Sequence, residues 1–283
     1  MRVGNIMGTQ NYQTVNVVDP SSGALSANGI SKSYLRNDVP RLVLADISFS
    51  ARPQEVVCFV GPTGCGKTTL LNILAGFESP DLGEVAFEGR LVDGPGPDRG
   101  FVFQQANLFP WQSVYDNVAF ALAHGRGLRV NTESKRDSRD RVNHYLNRMG
   151  LTDAADLYPY QISGGMKARA ALARVMISNP PVLLMDEPFG ALDALTRASM
   201  HKLMLTMMNQ EEPHTVVLIT HDVEEAALLA DTVFVMSMAP ARLANEFTVP
   251  FGNNRDYEEI LRSVELAEFK ALIRDTLQPF LGQ

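Results

Sequence analysis

The chain has 283 residues, 31.1 kDa, with 45% apolar and 20% charged residues and ordinary Gly and Pro, which excludes disordered, collagen-like and low-complexity classes and leaves one large domain or two modest ones. A formal charge of −7 gives no general attraction to a phosphate backbone, so nucleic acid is not an expected partner. No apolar run reaches the roughly 20 residues that cross a bilayer, no signal peptide is visible, and two cysteines, Cys58 and Cys65, suit neither a disulfide framework nor a four-ligand zinc site, so a cytoplasmic chain with free thiols is expected.

Residues 1–25 are polar and without period, and read as a flexible extension. From about Gly29 strand material begins, with runs at 42–50 and 55–61 separated by a turn at Pro53. The apolar stretch 68–76 predicts a buried helix stopped by Gly76 and Pro80, and short strands follow at 84–88 and 100–103. Past Pro110 the pattern turns helical, at 114–125, 133–148 and 166–179, which predicts a smaller helical lobe inserted at about 110–170. Strands return at 182–186, 216–220 and 232–236, alternating with helices at 194–208 and 223–229 in the manner of a parallel sheet. A body spanning 26–240 is then followed by a short tail, 241–283, of one strand and one or two amphipathic helices.

The run GPTGCGKTT (61–69) sits after a strand and opens a helix, the context in which Gly, four residues, Gly-Lys-Thr cradles phosphate. Gly61, Gly64 and Gly66 permit a tight turn whose N–H groups point inward, with Pro62, Thr63, Cys65 and Thr69 completing the cradle. Lys67 reaches the β- and γ-phosphates of ATP, and the Thr68 hydroxyl joins the shell of a Mg²⁺ ion. An incidental Gly-rich turn is the bland alternative. Cys65 reads first as a small packing residue of the loop; a reactive thiol, favoured by the helix N-terminus, is the alternative.

VLLMDE (182–187) ends a buried strand in two carboxylates at the edge where open α/β sheets bind ligands. Asp186 is expected to hold Mg²⁺ through its water shell, and Glu187 to take a proton from the water attacking the γ-phosphate; a solvated acidic turn is the alternative. His221 follows the strand 216–220 and is expected to donate a hydrogen bond and hold that water. Gln104 ends another strand just before the helical lobe and can join Mg²⁺ and water chemistry to movement of that lobe. ISGG (162–165) opens a long helix, an anion-binding arrangement or a simple cap, and on a different lobe from the phosphate loop it suits the nucleotide of a second copy.

From about Ile30 to Met238 these residues resemble the ATP-hydrolysing subunit of an ATP-binding cassette transporter. GPTGCGKTT corresponds to the Walker A loop, Gln104 to the Q-loop glutamine, ISGGM to the signature, VLLMDEP to Walker B, ALD (191–193) to the D-loop and His221 to the switch histidine, while Tyr34 matches the aromatic that stacks on adenine. The resemblance implies a P-loop α/β fold with a RecA-like parallel core, an antiparallel β subdomain and the inserted helical subdomain. It also implies two cassettes closing head to tail over two ATP molecules, with Ser163, Gly164, Gly165 and Asp193 of one chain near the nucleotide held by Lys67 of the other. FQQANLFPW (103–111), YPYQISGGM (158–166), DEPFGALDALTR (186–197) and ITHDVEEAALLAD (219–231) are similar to importer ATPases serving nitrate, taurine and alkanesulfonates. Such cassettes sit peripherally on the cytoplasmic face of the membrane, pair with integral permease subunits and act indirectly with an extracytoplasmic solute-binding protein.

Two departures stand out: Ile162 where Leu is common, and Ala168 where Gln is common, which removes a polar side chain expected beside the intermolecular nucleotide site. Ser163, Gly164, Gly165 and Arg169 remain, so hydrolysis is expected to survive with a modest change in rate or closure. The basic stretch including Arg126, Arg129, Arg136, Arg139 and Arg148 reads first as a solvated face. Phe109, Pro110 and Trp111 read either as a groove for a permease helix or as packing between lobes. A soluble cassette ATPase acting outside transport, for example in iron–sulfur assembly, and a low-turnover nucleotide-gated interaction protein are the competing classes; the intact Asp186, Glu187 and His221 weigh against the latter.

Overall fold

The computed structural model describes residues 24–124, 135–208, 214–252 and 255–281. A long hairpin opens the fold: β1 (Leu25–Arg36) and β2 (Val39–Ala51) pair antiparallel around a turn in which Asn37 and Asp38 take positive φ. With β4 (Leu82–Phe87) and β5 (Arg90–Leu91) they form a four-stranded sheet, ordered β2-β1-β4-β5. The expected extension to residue 25 overreaches at its end, because Ala24 and Leu25 are buried and Leu25 starts β1; the rest of that segment lies outside the described residues.

The second sheet has six strands, β10-β9-β3-β8-β7-β6: β3 (Val56–Val60), β6 (Arg99–Val102), β7 (Val182–Asp186), β8 (Thr215–Thr220) and β9 (Thr232–Met236) run parallel, with β10 (Leu243–Thr248) antiparallel at one edge. Its central strands are apolar throughout because both faces are covered. Val57 and Phe59 point towards the hairpin sheet and α1 (Lys67–Ala75), whereas Val56, Cys58 and Val60 point towards helices on the other face. β7 and β8 alternate in the same way, Val182, Leu184, Val217 and Ile219 on the first face and Leu183, Met185, Val216 and Leu218 on the second. Phe59 anchors the first core, edge-on to Phe49 with ring centroids 4.7 Å apart and stacked on Phe234 at 5.2 Å.

The helical lobe consists of α2 (Val114–His124), α3 (Lys135–Arg148) and α4 (Gly164–Met176), and α5 (Ala194–Met208), α6 (Val223–Leu229), α7 (Tyr257–Arg262) and α8 (Val264–Leu277) cover the second face and the tail. Buried Asn117 locks the lobe's entry: its Nδ2 donates to the carbonyls of Phe109, Gln112 and Ser113, and its Oδ1 accepts from the Phe109 N–H at 2.7 Å. On α3, Arg136 and Asp140 form an exposed i,i+4 pair at 4.0 Å, in keeping with a solvated face; Arg126 and Arg129 lie outside the described residues. Among the described residues no helix is long and apolar enough to cross a membrane.

Candidate functional site

The register of the parallel ladder decides what meets at the C-terminal edge of the sheet. Val60 pairs with Thr220, Ile219 with Asp186 and Met185 with Val102, so the strand order β3-β8-β7-β6 opens four loops side by side. Those loops carry Gly61–Gly66, His221, Glu187 and Gln104.

Glu187 is the meeting point. Its Oε2 lies 3.0 Å from Nδ1 of His221 and accepts from Nε2 of Gln104 at 3.5 Å, while its Oε1 lies 3.9 Å from Nζ of Lys67. The residue leaves β7 in the left-handed region, φ 42°, with its N–H bonded to the carbonyl of Ile219 on β8. A non-glycine residue there costs about 1 kcal/mol or more, and the same backbone turn sets the carboxylate between the neighbouring loops.

Lys67 is 5% exposed and donates to the carbonyls of Gly61 at 2.9 Å and Pro62 at 3.0 Å. A buried ammonium satisfied by its own loop is a cation poised for a stronger acceptor. Gly66, φ 114°, leads into α1, and a Cβ there would press on Val43 and Leu44 of β2 at 2.9 Å, so glycine alone lets the helix start so close to the hairpin. Thr63, Gly64 and Thr68 are exposed at the mouth of the cradle. The Thr68 hydroxyl donates to Oδ1 of Asp186 at 3.3 Å. Burial raises the Asp186 carboxyl above its ordinary value, and the adjoining Glu187 charge pushes the same way against the Thr68 bond and Lys67. Hydroxyl, carboxamide and carboxylate oxygens from Thr68, Gln104 and Asp186 are the hard donors a Mg²⁺ ion takes together with phosphate oxygens and water.

Cys65 follows its packing reading. It is fully buried beneath the loop, and burial raises its thiol above the ordinary value, outweighing the lowering by Lys67 and the nearby N–H groups. Cys58, inside β3, is raised further by the same cause. Both are packing residues.

Tyr34 stands over the first turn of α1, its hydroxyl donating to Glu78 at 2.6 Å and lying 3.4 Å from Oγ1 of Thr69. Burial, and then the Glu78 bond, raises its phenol, while Lys32 sits 5.6 Å from its ring centre. Glu78, which fixes the ring, carried no motif and was invisible in the sequence. On the far lobe, Ser163 caps α4 by accepting from the Met166 N–H, and Ser163 and Gly164 are exposed. Gly165 is buried against Thr196, whose hydroxyl and N–H both bond the Asp193 carboxylate and lower its pKa. Within this chain no bond joins Ser163–Gly165 to the Gly61–Thr69 cradle among the described residues.

Ala168 packs near Gln104. It lines a crevice with Gln104, Met185, Pro188, Met200 and Met204, between the lobe and the sheet. Arg169 donates to the Met149 carbonyl and serves packing within the lobe. Arg174, unmarked in the sequence, bonds the carbonyls of Ala106 and Asn107 and lies 5.5 Å from the Phe109 ring centre, tying α4 to the segment after Gln104.

A family model described as ABC transporter matches residues 44–190. The chain belongs to the ATP-binding cassette transporter family. Its relatives include the taurine import ATP-binding protein TauB of Pelagibacter ubique, 45% identical over 78% of this chain and 82% of that one. The nitrate import ATP-binding protein NrtD of Synechococcus elongatus is 38% identical over 91% and 92%, and the bicarbonate transport ATP-binding protein CmpD of the same species is 39% identical over 89% and 90%. Among solved structures, the dimeric post-hydrolysis state of the ATP-binding cassette MJ0796, bound to ADP and Pi, superposes with a TM-score of 0.70 at 28% identity, covering 81% of this chain and all of the other. The P-loop fold of this cassette type and its ATPase activity follow from these likenesses together.

Proposed function

We propose that this cassette hydrolyses ATP between two copies of itself and drives import of a small anion or sulfonate through a membrane permease. The observation that carries the reading is the split site: Lys67, Gln104 and His221 gather on Glu187, while the start of α4, exposed at Ser163 and Gly164, stands apart from them. Each chain supplies one half of a nucleotide site, and the dimeric MJ0796 cassette supports closure of the two halves over ATP.

In that site Tyr34 would stack on adenine, and Lys67 would exchange the Gly61 and Pro62 carbonyls for phosphate oxygens. Thr68, Asp186 and Gln104 would hold Mg²⁺, which supplies charge neutralisation at the phosphates. Glu187 takes the proton of the attacking water, and His221, 3.0 Å from its carboxylate, holds that water in line. The start of α4 at Ser163–Gly165 would receive the γ-phosphate from the second copy, with Asp193 at the same seam.

The division into a cassette body at 26–240, with a helical insertion at about 110–170 and a tail at 241–283, belongs to this reading. So does a peripheral place on the cytoplasmic side of the membrane. Trp111 is 71% exposed beside Phe109, ring centroids 5.4 Å apart, in support of an apolar seat for a permease helix. Relatives named for taurine, nitrate and bicarbonate support a small anionic or sulfonate solute, delivered by an extracytoplasmic binding protein.

The test of the split site is association. With ATP and Mg²⁺ the Glu187→Gln variant is expected to elute as a dimer, and Ser163→Arg placed in the same chain to keep it monomeric with nucleotide binding intact. A dimer that persists in the double variant contradicts the reading.

A further inference from the structure

Behind the catalytic edge lies a buried polar chain that the hydrolytic set does not use. Glu225, on α6, is 2% exposed. Its Oε2 accepts from the Thr220 hydroxyl at 2.6 Å, and that hydroxyl in turn accepts from the N–H of Asp222 at 3.0 Å. Thr220 and Asp222 bracket His221, so one hydroxyl fixes the backbone on both sides of the switch histidine. The other carboxylate oxygen, Oε1, lies 3.5 Å from Nε2 of His201 on α5, a side chain 4% exposed whose Nε2 makes no hydrogen bond of ordinary geometry.

His201 also reaches the second catalytic turn. Its ring stands edge-on to Phe189, centroids 5.2 Å apart at 82°, and Phe189 follows Glu187 by two residues. One helical turn earlier on α5, Arg197 contacts Asp222 Oδ2 at 3.4 Å and donates to the Leu192 carbonyl at 3.0 Å. A single face of α5, the helix that begins right after Asp193, therefore grips both the His221 loop and the Glu187 turn.

A carboxylate taken out of water is costly even when paired, and apolar residues of similar size would fill the same space at less cost. The position of this one explains its presence. We propose that the His201–Glu225–Thr220 chain positions His221 against Glu187, setting the 3.0 Å contact between them, and couples that contact to the placement of α5. These are positioning residues: they act through His221 and touch neither nucleotide nor metal. The inference rests on the catalytic roles given to His221 and Glu187 above.

The test uses the full chain and compares Thr220→Val, which keeps shape and removes the hydroxyl, with Thr220→Ser, which keeps the hydroxyl, and with Glu225→Gln as a second, shape-preserving break. ATP turnover, KM and affinity for a fluorescent ATP analogue are measured on each, with His221→Ala as the reference. Thr220→Val is expected to lower kcat about 10-fold with KM within about twofold, and Thr220→Ser to recover it to within about threefold. Glu225→Gln is expected to fall between them. The double variant Thr220→Val with His221→Ala is expected to be no slower than His221→Ala alone, since the two share one route. Wild-type kcat in both Thr220→Val and Glu225→Gln while His221→Ala is inactive overturns the positioning role, as do losses in the double variant that multiply. Full turnover in His221→Ala overturns the catalytic reading beneath it, a result distinct from either.

Discussion

Glu187 concentrates the chemistry of the site, with His221, Gln104 and Lys67 all directed at one carboxylate held in a left-handed turn. Replacing it by Gln keeps the shape and removes the proposed base, so kcat is expected to fall by about 10²-fold or more while ATP affinity holds, as measured by turnover against equilibrium binding. Asp186 gives a prediction of opposite character. Burial raises its carboxyl above the ordinary 3.8, so the folded chain binds that proton more tightly than the unfolded chain. Below 3.8 the group costs no stability; as pH rises from there through the raised folded value stability is lost. Asp186→Asn, which still accepts from Thr68, is therefore expected to raise the nucleotide-free Tm at about pH 7.5, with a gain that shrinks towards about pH 4, and to weaken binding of ATP with Mg²⁺. An unchanged Tm at neutral pH would contradict it. For Cys65 the buried, raised thiol predicts slow alkylation at neutral pH with or without nucleotide, and normal turnover in Cys65→Ser; fast labelling blocked by ATP would restore the reactive-thiol reading.

At the scale of elements, the seam between α4 and the start of α5 is set by small size at Gly165, where a Cβ would overlap the Thr196 methyl. Gly165→Ala is expected to cost about 1–3 kcal/mol in urea unfolding and to reduce turnover, and Thr196→Ser, which removes the methyl but keeps the hydroxyl on Asp193, to restore much of both. No recovery in the double variant would place the defect elsewhere. The strands at 182–186, 216–220 and 232–236 and the helices at 194–208 and 223–229 were legible because a doubly covered parallel sheet writes unbroken apolar runs between helical periods. The phosphate loop, the acid pair and His221 were legible because each sits at a strand exit, where local pattern and function coincide. Much of β1 was not, since its half-exposed residues alternate imperfectly through register shifts against β2. Glu78 and Arg174 were hidden for another reason: each gains its role from a partner far along the chain, Tyr34 or Ala106, and no local spacing records such a meeting.

For the whole molecule, two sheets and a helical lobe divide the labour. The six-stranded sheet brings Lys67, His221, Glu187 and Gln104 to one edge, the hairpin sheet offers Tyr34, and the lobe carries Ser163–Gly165 outward and Trp111 to the surface. In the proposed reading such half-sites work in pairs, and the lobe, tied to the segment after Gln104 through Arg174 and Asn117, would give nucleotide closure a path to a membrane partner. The most direct measurement is to purify the chain from its native membrane with whatever it binds, identify the partners by mass spectrometry, and assay ATP hydrolysis of that complex in liposomes with taurine, nitrate and bicarbonate, each with its binding protein. A permease that co-purifies, with hydrolysis stimulated by one of these solutes and abolished by Glu187→Gln, is the predicted result. A stable soluble complex without a permease, hydrolysing ATP indifferently to every solute, would contradict it and assign the cassette to work outside transport.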